Sequence, residues 1–374
     1  MRLRKHWALL MVVCLLVTSV AAGTIGCAAP AAAPDATAPS GSDESGDEAV
    51  TPAAPEGEVF KWKMTTQGPA VSIWHYANEY FVDIVNKMSG GRMEVELHPG
   101  GSLFPVPDTL DNVSQGVVQM AQCGGAAFGG KDPTFSAVSF VTGASIDNTM
   151  DEAVYVWHTD YHNIVTDLYA KYGCVWLAPG WIPGEQYLST VPIRSAADYQ
   201  GLKIRASGMS ELLFKELGAS TTYVQGSEIY SALQLGTIDG CDAAGAAGNW
   251  DMGLHEVTEY IIMPGFHLSM GHIDHFVNQE AWDSLPPDMQ EILRVAAIAG
   301  GDHFGNEIHA KNLVSQQKMV DYGLEVITLS DEELAKIHQA ALNVWDDIAT
   351  STPEAAELIR IYEETCSLVG KPMK

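Results

Sequence analysis

Arg205 closes the run Leu202-Lys203-Ile204-Arg205, whose alternation predicts a strand. Ligands of open α/β sheets bind at the carboxyl ends of strands, so a guanidinium there can clamp a carboxylate through two parallel charge-assisted bonds. A surface salt bridge is the other reading of the same residue. The segment Gly271-His272-Ile273-Asp274-His275-Phe276 carries residue types suited to acid–base work or metal ligation. On a strand, however, His272 and Asp274 share one face and His275 points to the other, so the three do not converge. Trp181 and Tyr187 fall in loops after strands and Trp250 follows a Gly-rich crossing, where cleft lining and core packing are both open to the rings. Gly124, Gly125, Gly129 and Gly130 lack the spacing of a phosphate loop, and no Ser-His-Asp, paired-carboxylate or zinc pattern is present.

The elements that must position these residues follow from hydrophobic period, which switches repeatedly between 2 and 3.6 from Val59 onward. Strands are predicted at 60–64, 93–97, 120–125, 174–177 and 202–205, and helices at 73–88, 108–119, 150–172, 210–217 and 227–235. Pro286-Pro287 opens the longest helical stretch, reaching about Tyr322, and two further helices fill 330 to the end. This order predicts an α/β fold with mostly parallel sheets.

The 374 residues hold 20 Lys and Arg against 47 Asp and Glu, a net charge of −27. Such a body repels phosphate backbones and anionic lipid, which argues against a nucleic-acid binder and a peripheral membrane enzyme. Residues 1–26 have the layout of an export signal: a basic Met-Arg-Leu-Arg-Lys-His, an apolar run from Trp7 to Val20, and a small uncharged end. Thr24-Ile25-Gly26-Cys27 resembles a lipobox, with ordinary cleavage after Ala22 as the alternative. Residues 27–57 are nearly all Ala, Pro, Ser, Gly, Thr, Asp and Glu, the composition of a flexible tether. Export permits disulfides among Cys123, Cys174, Cys241 and Cys366, but a core of this size needs no staples, and four buried thiols are the favoured reading.

Several stretches together resemble the extracytoplasmic solute-binding subunits of TRAP transporters, the DctP type, over nearly everything from Val59 onward. They are Trp62-Lys63-Met64, the turn Leu97-His98-Pro99-Gly100-Gly101-Ser102-Leu103-Phe104, and Pro192-Ile193-Arg194-Ser195-Ala196-Ala197-Asp198-Tyr199-Gln200-Gly201-Leu202-Lys203-Ile204-Arg205. Gln234-Leu235-Gly236-Thr237-Ile238-Asp239-Gly240 and Asn278-Gln279-Glu280-Ala281-Trp282-Asp283-Ser284-Leu285-Pro286-Pro287 add to them. The resemblance implies a two-lobed, periplasmic-binding-protein type II-like fold with a ligand cleft between the lobes and a long connecting helix. Lobe I would comprise 58–182 and 268–306, and lobe II 183–267 and 307–374. It also implies no enzymatic activity: the protein would capture a small organic acid and hand it to a sodium-driven membrane permease, and a homodimer is compatible with this.

Arg205 matches the family's carboxylate clamp. The subgroup it is most similar to binds 2-oxo acids and lactate beside a metal ion, so a 2-oxo or 2-hydroxy monocarboxylate is the expected solute. Asp242 keeps one acidic metal position, whereas Ala243 and Leu268 stand where the subgroup has an aromatic wall and a second carboxylate. A sodium or calcium ion would rest on Asp242, with Gln186 at the turn where the subgroup has a glutamine, although a gapless alignment puts Gly184 there. Asp242 and Gln186 would fix one end of the ligand and Arg205 the other, with Trp181 and Tyr187 as cleft aromatics. The competing reading is an exported enzyme acting on a small carboxylate through His272, Asp274 or Asp242. With the lipobox reading, Cys27→Ser releases the protein into the soluble exported fraction with binding intact; a mature N-terminus at Gly23 by mass spectrometry would contradict it.

Overall fold

A computed structural model describes residues 58–139, 141–143 and 146–371. The expected export signal, Cys27 and tether lie outside the described residues. Two sheets organise the chain. The first has the order β2-β1-β3-β10-β4, from β1 (Phe60–Thr66), β2 (Met93–His98), β3 (Met120–Cys123), β4 (Cys174–Pro183) and β10 (Met270–Asn278). The second has the order β11-β9-β5-β8-β6-β7, from β5 (Tyr187–Ser189), β6 (Lys203–Arg205), β7 (Ser220–Thr222), β8 (Gly240–Cys241), β9 (Tyr260–Met263) and β11 (Glu325–Thr328). Alternation places Trp62 and Met64 of β1 in the core and Lys61 and Lys63 outside it. The sheets are more mixed than expected: β10 runs antiparallel to both β3 and β4, and β5 antiparallel to β8 and β9.

The chain passes between the sheets three times. Residues 184–186 join β4 to β5, residues 264–269 join β9 to β10, and the helix Pro287–Tyr322 spans both sides. That helix packs on β4 through glycines: a Cβ on Gly301 would stand 2.1 Å from the Pro179 carbonyl oxygen, and one on Gly305 2.8 Å from Trp181 Cβ. Farther along, Asn312 accepts a 2.8 Å bond from the Ala247 backbone N–H on the second-sheet side. The fold is therefore the two-lobed α/β type with a long connecting helix.

Two expected helices are broken by side chains that compete for the backbone. The stretch at 73–88 divides into Ile73–Tyr76 and Glu79–Met88, where the Asn78 amide donates to Trp74 O at 3.1 Å. That at 150–172 divides into Thr149–Trp157 and Tyr161–Ala170, where the Thr159 hydroxyl donates to Tyr155 O and accepts from Tyr161 N. The last helix, Pro353–Leu368, sends Leu358, Ile361 and Tyr362 into the same core as Tyr155, Tyr161 and Trp176, on the first-sheet side; the sequence grouped it with the second lobe. Cys123, Cys174, Cys241 and Cys366 are buried free thiols, and burial pushes the last three up to about 12.

Close helix–sheet contact yields a stability test. Gly301→Ala gains about 1 kcal/mol of helix propensity, but its methyl group meets the rigid Pro179 carbonyl, and overpacking of that kind costs about 1–3 kcal/mol. A lower urea midpoint is the expected outcome, and a raised one would contradict the close approach.

Candidate functional site

A cleft of about 550 Å³ continues into a deeper cavity of about 70 Å³, and Gln67, Trp74, Val106, Arg205, Tyr223 and Ala243 line both. The topology explains the convergence. Gln67, Gly124, Tyr223 and Asp242 each follow the last residue of a strand, β1, β3, β7 and β8, and Arg205 is the last residue of β6. All five thus stand at the carboxyl ends of strands that pair in parallel with a neighbour, where such sheets open their crevice.

Arg205 is 9% exposed and is fixed through its Nε and Nη1. Its Nε donates to Val224 O at 3.2 Å, and its Nη1 donates to Asp242 Oδ1 at 2.8 Å and to the Asp242 carbonyl. The Tyr223 ring centroid lies 5.4 Å from the guanidinium carbon. Among the described residues Nη2 has no hydrogen-bond partner, so the guanidinium is oriented with donor capacity left over. The register makes this pairing: Arg205 aligns with Cys241 across β6 and β8, and the Asp242 N–H donates to Arg205 O at 3.0 Å.

Glu185, absent from the sequence expectations, contributes a second carboxylate to the deeper cavity. It lies in the 184–186 crossing, where its N–H donates to Leu268 O at 3.0 Å and its carbonyl would meet a Cβ on Gly265 at 1.5 Å. Gly265 is thus required for the two crossings to touch, and their contact sets Glu185 beside Leu268, the position where the resemblance implied a lost carboxylate. Burial, reinforced by the nearby Asp242 charge and partly offset by Arg205, raises the Glu185 carboxyl from 4.5 to about 8. A neutral Glu185 presents a donor in place of a second negative charge beside Asp242.

Three expected contributors lie elsewhere. Trp181 lines neither cavity, because its indole N–H donates to Asp302 of the long helix at 2.8 Å. Tyr187 is fully buried in the second-sheet core, its ring 5.2 Å from that of Phe214. Gln186 points to the long helix, donating to Gln316 Oε1 at 2.8 Å. Trp250 likewise lines neither cavity and stacks on His255 at 3.9 Å. In their place Trp74 and Tyr223 supply the cleft aromatics. Trp74 had one legible signal: it is a large ring lying off the apolar stripe of its own helix.

His272 and Asp274 share a face of β10, as alternation requires, but that face is sealed in the first-sheet core. Trp176 and Tyr169 donate to the Asp274 carboxylate at 2.7 and 2.9 Å, and the Tyr161 hydroxyl bonds the His272 ring. Asp242 belongs to the other sheet, so neither His272 nor Asp274 meets it at the cavity. Among the described residues no three His, Cys, Asp or Glu side chains are placed to hold a metal, and Asp242 Oδ1 is bonded to Arg205. Calcium takes six to eight oxygens, so beyond Asp242 and Glu185 an ion here would draw on amides, carbonyls, the ligand and water.

A two-lobed body with a buried arginine at the mouth of parallel strands is a periplasmic-type binding protein. The chain belongs to the bacterial extracellular solute-binding protein family 7, DctP, whose model matches residues 64–352. These are the solute-binding subunits of TRAP transporters, which are receptors and not enzymes. A monocarboxylate 2-oxoacid-binding periplasmic protein of Nostoc is 24% identical over 313 residues, covering 81% of this chain and 82% of the relative. A TRAP solute-binding protein of Bordetella bronchiseptica, a dimer with copurified calcium and picolinate in its active site, superposes with TM-score 0.79 at 22% identity. That match covers 84% of this chain and 93% of the other. One from Colwellia psychrerythraea with calcium and pyruvate superposes with TM-score 0.77 at 26% identity, covering 83% and 95%.

The Glu185 environment has a consequence for stability. A carboxyl raised from 4.5 unfolded to about 8 folded holds its proton more tightly in the native state, so stability falls as pH rises across that interval. Glu185→Gln should flatten that dependence in paired thermal melts from about pH 5 to about pH 9. Parallel curves for the two proteins would show that Glu185 ionises normally.

Proposed function

We propose that this protein captures a small 2-oxo or 2-hydroxy monocarboxylate through Arg205 and delivers it to the sodium-driven permease of a TRAP transporter. The observation that carries the reading is charge: Arg205 is the sole cationic side chain among the described residues lining either cavity. The Nη2 amino group, unpartnered among the described residues, offers a carboxylate charge-assisted bonds, and burial keeps water from competing for them. The Asp242 carboxylate holds the fork in place, and Glu185 in its neutral form is within the same cavity to donate to the ligand's α-oxygen. The 2-oxoacid-binding Nostoc relative and the pyruvate-bound Colwellia structure support this solute class.

In this reading lobe I comprises 58–182, 268–306 and the last helix, Pro353–Leu368, with the rest from 183 in lobe II, and the ligand favours closure by touching both. Lobe II contributes Arg205, Tyr223 and Asp242, and lobe I contributes Gln67, Trp74 and Gly124. Lipid at Cys27 and the tether after it would hold the body near the permease while leaving it free to diffuse about the anchor.

Arg205→Lys replaces a planar fork by a point donor and removes the pairing with Asp242. Calorimetry with pyruvate or lactate should show an affinity loss of about tenfold to a hundredfold, from about 1.5–3 kcal/mol, with the fold intact by thermal melt. Unchanged affinity would remove Arg205 from the site. Because this reading holds the carboxylate on Arg205 alone, a chelator should leave wild-type affinity within about twofold, and its loss on chelation would restore the ion.

A further inference from the structure

The cleft, open to solvent as it stands, is larger than an acid of the size of pyruvate, and its composition is uneven. Cavities in the range of about 300–1,000 Å³ are those that enclose ligands of many heavy atoms, and this one is about 550 Å³ before the deeper cavity is added. Charge is confined to its inner end, at Arg205, Asp242 and Glu185. The remaining wall holds Trp74, Leu103, Phe104, Tyr223, Ile229 and Met252. Leu103 and Tyr223 are 43% and 45% exposed, large apolar groups turned to water at the rim of a cleft.

Part of the polar wall is already engaged by the chain itself. Gln67 Oε1 accepts from Gly124 N at 2.7 Å, Ser72 Oγ accepts from Trp74 N at 3.2 Å, and Ser102 Oγ donates to Pro99 O at 2.6 Å. Gln225, Ser227 and the Gln67 amide nitrogen are left to meet a polyhydroxylated acid, too few to pair every hydroxyl it would desolvate. A dicarboxylate fares no better, because its second charge has no second cation among the described lining residues and meets Asp242 instead.

Resting on the Arg205 reading above, we infer that the solute is a monocarboxylate with a bulky aromatic or branched apolar tail, its carboxylate at Arg205 and its tail between Trp74 and Tyr223. The two rings come from opposite sheets. Trp74 stands in the helix Ile73–Tyr76, which Ser72 caps, and Tyr223 follows β7. A flat or branched tail gains contact with both on binding, and these aromatic surfaces add to affinity without demanding hydrogen bonds.

Calorimetry on the full exported chain with pyruvate, 4-methyl-2-oxopentanoate, phenylpyruvate and succinate tests the inference. Affinity should rise along the first three, with phenylpyruvate about tenfold to a hundredfold tighter than pyruvate, as burial of a phenyl-sized group dictates. Succinate should be the weakest. Pyruvate bound as tightly as phenylpyruvate overturns the apolar tail while leaving the Arg205 reading intact. Succinate bound as tightly as phenylpyruvate overturns the single-charge argument, and binding of none of the four counts against both readings. In folded Trp74→Ala and Tyr223→Ala variants the phenylpyruvate-to-pyruvate preference should shrink at least about fivefold. A preference unchanged in both would remove the rings from the site. Arg205→Lys, by contrast, should weaken every acid alike.

Discussion

A guanidinium taken out of water must be paired, and the pairing of Arg205 with Asp242 is what the cleft depends on. Both side chains are almost fully buried, and their 2.8 Å bond joins the ends of adjacent parallel strands. The bond turns a long flexible side chain into a fixed fork, so ligand affinity is not spent on ordering it. The pair leaves the inner cavity without net charge, and a second ionised carboxylate would turn it negative. Glu185 is that second carboxylate, and its preference for the neutral form keeps the cavity from repelling the anion proposed at Arg205.

The rest of the architecture serves that arrangement. Parallel strands aim their carboxyl ends at one crevice, and the two narrow crossings at 184–186 and 264–269 touch backbone to backbone at Gly265, which sets Glu185 in place. The long helix lies against both sides, with glycines where it meets β4 and Asn312 where it meets the Ala246–Asp251 helix. These contacts together fix where the charged groups stand in a site whose bonds depend on distance and angle.

Much of this was legible in the sequence. Arg205 could be placed because a short alternating run fixes a strand end, and the long helix because a Pro pair opens it and a Gly closes it. His272 and Asp274 were correctly read as sharing a face. What the sequence could not give was sidedness in irregular segments. Gly184, Glu185 and Gln186 all lie in one crossing, and only its contact with Gly265 and Leu268 turns Glu185 to the cavity and leaves Gln186 on Gln316. Trp181 and Tyr187 are aromatic residues in or beside a neck, but alternation along β4 and β5 sends both rings away from the cavity. The last helix was grouped by chain proximity, whereas its apolar face is covered by the first-sheet core.

The most direct test is a crystal structure with a bound 2-oxo acid. A carboxylate oxygen should lie about 2.7–2.9 Å from Arg205 Nη2, with Asp242 still paired to Nη1 and Glu185 facing the α-oxygen. Density for the acid in the cleft with its carboxylate held by backbone amides or by a metal ion, and Arg205 bonded only to Asp242, would contradict the account.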